Sequence, residues 1–127
     1  MDLDDRIGDA GLIFASEGEA GFRVREAVAL QAVADEEDVV LALGGGSVNE
    51  GSAPLRAWAR LVLMATVPTL LERVGSGVGR PMLGGDVAAR VRELHARRVA
   101  GWTAFGLCIH TDGLTAAQVV ERAQAAW

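Results

Sequence analysis

Three short apolar runs, at 39–43, 61–65 and 105–110, interrupt a chain otherwise patterned at helical spacing. Each run is nearly continuous rather than alternating, which suits strands covered on both faces, as in a parallel sheet. Elsewhere the apolar positions recur every three or four residues. At 19–35, Phe22, Val28 with Ala29, and Ala32 with Val33 share one side of a predicted helix. Pro68 stands near the start of a short helix at 66–74, where its missing N–H is tolerated. At 86–100, Val87, Val91, Leu94 and Val99 form one stripe and arginines another. Leu114, Val119 and Val120 anchor a last helix at 115–126. Strand alternating with helix predicts an α/β fold with right-handed crossovers. Between the second and third helices lies a loop at 75–85, with Gly75, Gly77 and Gly79 ahead of Pro81 and with Gly84 and Gly85 beyond it.

Length and composition narrow the class. At 127 residues, half of them hydrophobic, the chain is expected to form one domain, 1–127, around one core. The net charge of −5 argues against a nucleic-acid partner, because no basic face is visible. All twelve basic residues are arginine, whose planar fork suits carboxylate and phosphate, although a GC-rich genome gives the same bias. Cys108 is alone in an apolar run, as expected of a buried structural thiol in a reducing compartment. No apolar stretch reaches the ~18 residues of a membrane span. The acidic start is unlike a targeting peptide, so the cytoplasm follows by elimination.

Four features carry candidate chemistry. Gly44, Gly45 and Gly46 follow an apolar run, where bare backbone can approach a ligand and offer N–H donors; a tight strand-to-helix turn is the plainer alternative. Arg23 and Glu26 are one helical turn apart, so Glu26 can orient Arg23, or the two can form an ordinary solvated pair. Arg98 lies beside Arg97 on a charge-rich helix face, which is commonly no more than a wet surface. Asp2 and Asp4 are spaced to serve a metal and a hydroxyl, or to cap a helix.

Taken together, the pair Asp2 and Asp4, the set Gly18, Glu19, Phe22, Arg23 and Glu26, the triple glycine, the segment Arg80-Pro81-Met82-Leu83, and Arg98 with Trp102 resemble the shikimate kinase family over essentially the whole chain. The resemblance implies a three-layer α/β/α fold of the P-loop kinase type with a parallel sheet. It implies transfer of the terminal phosphate of ATP to the 3-hydroxyl of shikimate. Arg23 and Arg98 would clamp the shikimate carboxylate, with Glu26 orienting Arg23. Gly44, Gly45 and Gly46 would give backbone contacts. Asp4 would hydrogen-bond the shikimate hydroxyls and orient the attacking one. Asp2 would support the shell of Mg2+. Arg80 would be the arginine of the lid at about 75–85, reaching the transferred phosphate, and Arg73 would stack on adenine. Shikimate and ATP are thus the expected partners, with neither nucleic acid nor membrane, and a monomer is expected of the full-length protein.

The family's phosphate loop, Gly-x-x-x-x-Gly-Lys-Ser/Thr, does not occur in these 127 residues, which contain no lysine. The expectation is a chain lacking the first strand, phosphate loop and first helix of the fold, inactive as it stands. The alternative is a non-catalytic shikimate-kinase-like binding or regulatory module. In the family the missing strand would lie between the runs at 39–43 and 61–65. Buried backbone groups left unpaired there would each cost about 1–3 kcal/mol, so the isolated chain is expected to be poorly stable or aggregation-prone.

Overall fold

The computed structural model describes residues 1–75 and 86–126, which fall into two compact units, Met1–Trp58 and Ala59–Trp127. Residues 80–83 lie outside the described residues, so the predicted lid arginine, Arg80, has no structural account.

The first unit is mostly helical. A short helix α1 (Asp4–Ile7) leads into α2 (Ala10–Val33). Asp9 caps α2, its carboxylate accepting from the N–H of Leu12 at 3.1 Å. This cap starts the helix earlier than the spacing predicts. The predicted start instead coincides with a kink at Gly18, whose φ of 72° interrupts the helical backbone and favours a residue without Cβ. Phe22, Ala29, Leu30 and Val33 are buried with Leu3, Ile13 and Leu55. Val28, expected on the apolar side, is 66 % exposed; its neighbour Ala29 takes that place. Beyond α2 the chain runs through the glycine turn to a 3-10 helix, Glu50–Leu55.

The expected strand at 39–43 does not form as such. A single parallel bridge joins Asp2 to Ala42, with Ala42 N donating to Met1 O at 2.8 Å and Leu3 N to Ala42 O at 3.0 Å. The reason is the partner: the segment alongside turns into α1 at Asp4, so there is one register position to pair with.

The second unit has the predicted strand and helix alternation. Strand β1 (Leu61–Met64) is followed by α3 (Val67–Val74), α4 (Val87–Phe105), strand β2 (Leu107–His110) and α5 (Ala116–Ala126). β1 and β2 pair in parallel, with Leu61 opposite Leu107 and Met64 opposite His110. Val91 and Leu94 of α4 are buried against Leu70, Leu71, Val74 and Val87. Asp86 caps α4 through the N–H of Ala89 at 3.1 Å. One face of the pair is only partly covered among the described residues: Leu63, Leu107 and Ile109 share it, and Ile109 is buried whereas Leu63 is 61 % exposed and Leu107 50 %. Two strands make too narrow a sheet for the helices to screen both sides. No helix among the described residues is long and apolar enough to cross a membrane.

Candidate functional site

The first unit brings together Asp4, Arg23, Glu26 and the glycine turn. Arg23 and Glu26 share a face of α2, because residues three apart on a helix are neighbours. Glu26 is 2 % exposed. Arg23 Nη1 donates to both of its oxygens, at 3.1 Å and 3.0 Å. The guanidinium also stands 5.4 Å from the centre of the Phe22 ring, and its Nη2 is 3.8 Å from Glu19. The arginine is therefore held from three directions yet remains only half-buried.

The other two donors to Glu26 come from far along the chain. Ser47 Oγ donates to Oε2 at 2.7 Å, and Asn49 Nδ2 to Oε1 at 3.3 Å. Both residues follow the triple glycine, where Ser47 N donates to Gly44 O at 3.0 Å to close the turn. Asn49 also donates to Gly46 O at 2.9 Å. Sequence reasoning passes over Ser47 and Asn49. The signal available was two polar residues just after a glycine turn, but nothing local marks Ser47 as buried.

Asp4 lies at the start of α1, with its side chain exposed. Partial loss of water, then the negative charges of Asp2, Glu26 and Asp5, raise its pKa above the ordinary aspartate value, against the opposing pull of Arg23. Asp4 thus stands within electrostatic reach of the Arg23–Glu26 pair. Asp2 acts locally as well: its Oδ1 accepts the N–H of Asp4 at 3.0 Å. Among the described residues no group of three His, Cys, Asp or Glu side chains is placed to hold a metal ion.

The second unit holds Arg73 and Arg98. Arg73, in the last turn of α3, donates through Nη1 to Thr111 Oγ1 at 2.8 Å and through Nη2 to Thr111 O at 2.9 Å. Thr111 is buried and in turn donates to Met64 O at 2.9 Å. The next residue, Asp112, accepts from both the N–H and the hydroxyl of Thr66, at 3.0 Å and 2.7 Å. Hydrogen bonds from the hydroxyls of Thr69 and Thr66 and from the Thr66 N–H hold its carboxyl well below the usual range. Arg98 is half-buried on α4, whereas its neighbour Arg97 is exposed and pairs with Glu93. Trp102, one turn beyond Arg98, meets His95 edge to face, with ring centres 5.8 Å apart.

The family described as Shikimate kinase matches residues 3–126. The chain is 42 % identical over 91 residues to the shikimate kinase of Bordetella pertussis, a match covering 68 % of this chain and 43 % of that protein. It is 36 % identical over 110 residues to the shikimate kinase of Salinispora arenicola, covering 84 % of this chain and 66 % of the relative. The chain therefore spans less than half the length of the Bordetella protein. Among solved structures it resembles the shikimate kinase from Acinetobacter baumannii in complex with shikimate. The TM-score is 0.85 at 26 % identity, over 98 % of this chain and 76 % of that one.

Proposed function

From the premise that the chain belongs to the shikimate kinase family, we propose that it carries the acceptor side of a cytoplasmic enzyme that transfers the terminal phosphate of ATP to the 3-hydroxyl of shikimate. The observation that carries this reading is the Arg23–Glu26 pair, hydrogen-bonded to the residues that follow the glycine turn.

The chemistry suits the ligand. Shikimate is a small carboxylate with three hydroxyls. Glu26 accepts from Nη1 of the Arg23 guanidinium, which leaves Nε and Nη2 as donors for a second carboxylate, with Nη2 3.8 Å from Glu19. Gly44, Gly45 and Gly46 allow a ring to approach the backbone closely. Asp4 is the proposed partner of the reacting hydroxyl, and its raised proton affinity makes it a better acceptor than an ordinary aspartate. Arg98 is the proposed second clamp on the shikimate carboxylate, and Arg80 the proposed lid arginine.

ATP is the proposed co-substrate, with Mg2+ neutralising its phosphates. Magnesium keeps most of its waters and needs one or two carboxylates beside the phosphates. Asp2 fits that demand, since its Oδ1 accepts an N–H and its Oδ2 has no hydrogen bond among the described residues. Arg73 is the proposed stacking arginine: two bonds to Thr111 fix its guanidinium, a planar group that can stack on an aromatic base. The phosphate-cradling motif itself is not among these 127 residues.

Calorimetry with shikimate tests the reading. The chain is expected to bind shikimate, and Arg23→Ala to abolish binding; unchanged binding in that variant removes the clamp role. Release of ADP from ATP in the presence of shikimate separates the enzyme from a non-catalytic binding module.

A further inference from the structure

We infer that Ser47 and Asn49 are positioning residues that set the distance between the Arg23 guanidinium and the glycine turn, acting through Glu26; the ligand-binding part of this inference rests on the proposed role of Arg23.

A carboxylate that is 2 % exposed is cut off from bulk solvent, so its lone pairs call for donors within the fold. Arg23 supplies donors from the same helix, three residues away. By itself that local link leaves the pair able to swivel together about the side-chain torsions of α2. Ser47 and Asn49 remove the freedom, because they approach from 21 and 23 positions away in sequence. The Ser47 bond, at 2.7 Å, is short in the manner of a charge-assisted hydrogen bond.

Asn49 is itself fixed. Its Oδ1 accepts the N–H of Gly51 at 2.7 Å, which orients the amide so that Nδ2 faces Glu26 and Gly46 O. One side chain thus joins the carbonyl of the glycine turn, the Gly51 N–H in the first turn of the 3-10 helix and the orienting carboxylate. Both distant donors are uncharged. They satisfy Glu26 without neutralising it, so its charge remains available to Arg23 alone. A lysine or arginine at either position would compete with Arg23 for the same carboxylate. The two groups proposed to grip the ligand, guanidinium and bare backbone, are therefore held in register by hydroxyl and amide donors.

The test uses the 127-residue chain and two readouts. The first needs no ligand: 15N NMR measures rotation of the Arg23 guanidinium about its Nε–Cζ bond. The second is the affinity for shikimate by calorimetry. Ser47→Ala is expected to speed the rotation several-fold and, by removing one charge-assisted bond, to weaken shikimate roughly tenfold. Ser47→Thr, which keeps the hydroxyl, is expected to restore both. Asn49→Asp keeps the acceptor for Gly51 but replaces the donor to Glu26 with a like charge. It is expected to act in the same direction, and it serves if Ser47→Ala fails to fold. Unchanged Arg23 rotation in the folded variants overturns the positioning role. If the unaltered chain binds no shikimate, the proposed function of Arg23 fails, and the rotation measurement still decides whether Ser47 and Asn49 position it.

Discussion

Arg23 Nη1 stands 3.1 Å and 3.0 Å from the two carboxylate oxygens of Glu26, one turn along the same helix. The relationship is unequal: Glu26 is buried, whereas the arginine keeps a quarter of its side-chain surface in solvent. The carboxylate is the fixed partner and the guanidinium the one that can meet a ligand. Glu26→Gln keeps the shape but turns one acceptor oxygen into an NH2 group facing other donors. It is expected to cost about 1–3 kcal/mol in urea denaturation, because buried donors lose their acceptor. Shikimate affinity should fall with it in calorimetry.

Gly106 is required by a close approach, not by its backbone angles, since its φ is −167°. A Cβ at this position would run into the carbonyl of Arg60, which accepts the N–H of Leu107 at 3.0 Å. The obstacle is backbone and cannot rotate away. Gly106→Ala is expected to destabilise the chain by about 1–3 kcal/mol, the usual cost of overpacking. Hydrogen exchange at the Leu107 amide should accelerate, and an unchanged rate would show that the two strands shift without loss.

Asp112 ties the end of β2 to the start of α3 through Thr66. Its pKa is lowered in the folded chain, so its contribution to stability is present above the unfolded value of 3.8 and lost as pH falls through the folded value. Asp112→Ala is expected to lower the thermal midpoint at pH 7. The difference from the unaltered chain should shrink as pH falls below 3.8. A difference constant from pH 7 to pH 2 would mean the carboxylate charge contributes nothing.

Asp4 has the opposite sign. Its pKa is raised in the folded chain, first by partial burial and then by its acidic neighbours. Its favourable contribution is complete below 3.8 and lost as pH rises through the raised value. Asp4→Asn is expected to raise the thermal midpoint at pH 7, with no gain at pH 3. The same variant should bind shikimate more weakly, a trade of function against stability.

Leu63 and Leu107 lie on one face of a two-stranded sheet, both exposed. Among the described residues β1 and β2 pair only with each other, which leaves strand edges able to accept another chain. The 127-residue chain by itself is expected to associate as its concentration rises, as seen by light scattering. Leu63→Thr should reduce the effect. A monodisperse monomer with a cooperative thermal transition at ordinary mesophile temperatures would contradict this.

The helical spacing of Phe22, Arg23 and Glu26 was legible in the sequence because a 3.6-residue period places them without reference to the rest of the chain. The same holds for the existence of the second unit's helices and of β1 and β2, although α4 runs on through Phe105, which the apolar run at 105–110 assigned to a strand. The run at 39–43 has equally apolar residues, yet it makes a single bridge, because pairing depends on what lies alongside and not on the run itself. Tertiary structure alone decided that Glu26 is buried and that Ser47 and Asn49 complete its hydrogen bonds. It likewise decided that Arg73 meets Thr111, 38 positions away. Contacts within a helical turn follow from local geometry, whereas donors and acceptors that distant meet only along the path the folded backbone takes.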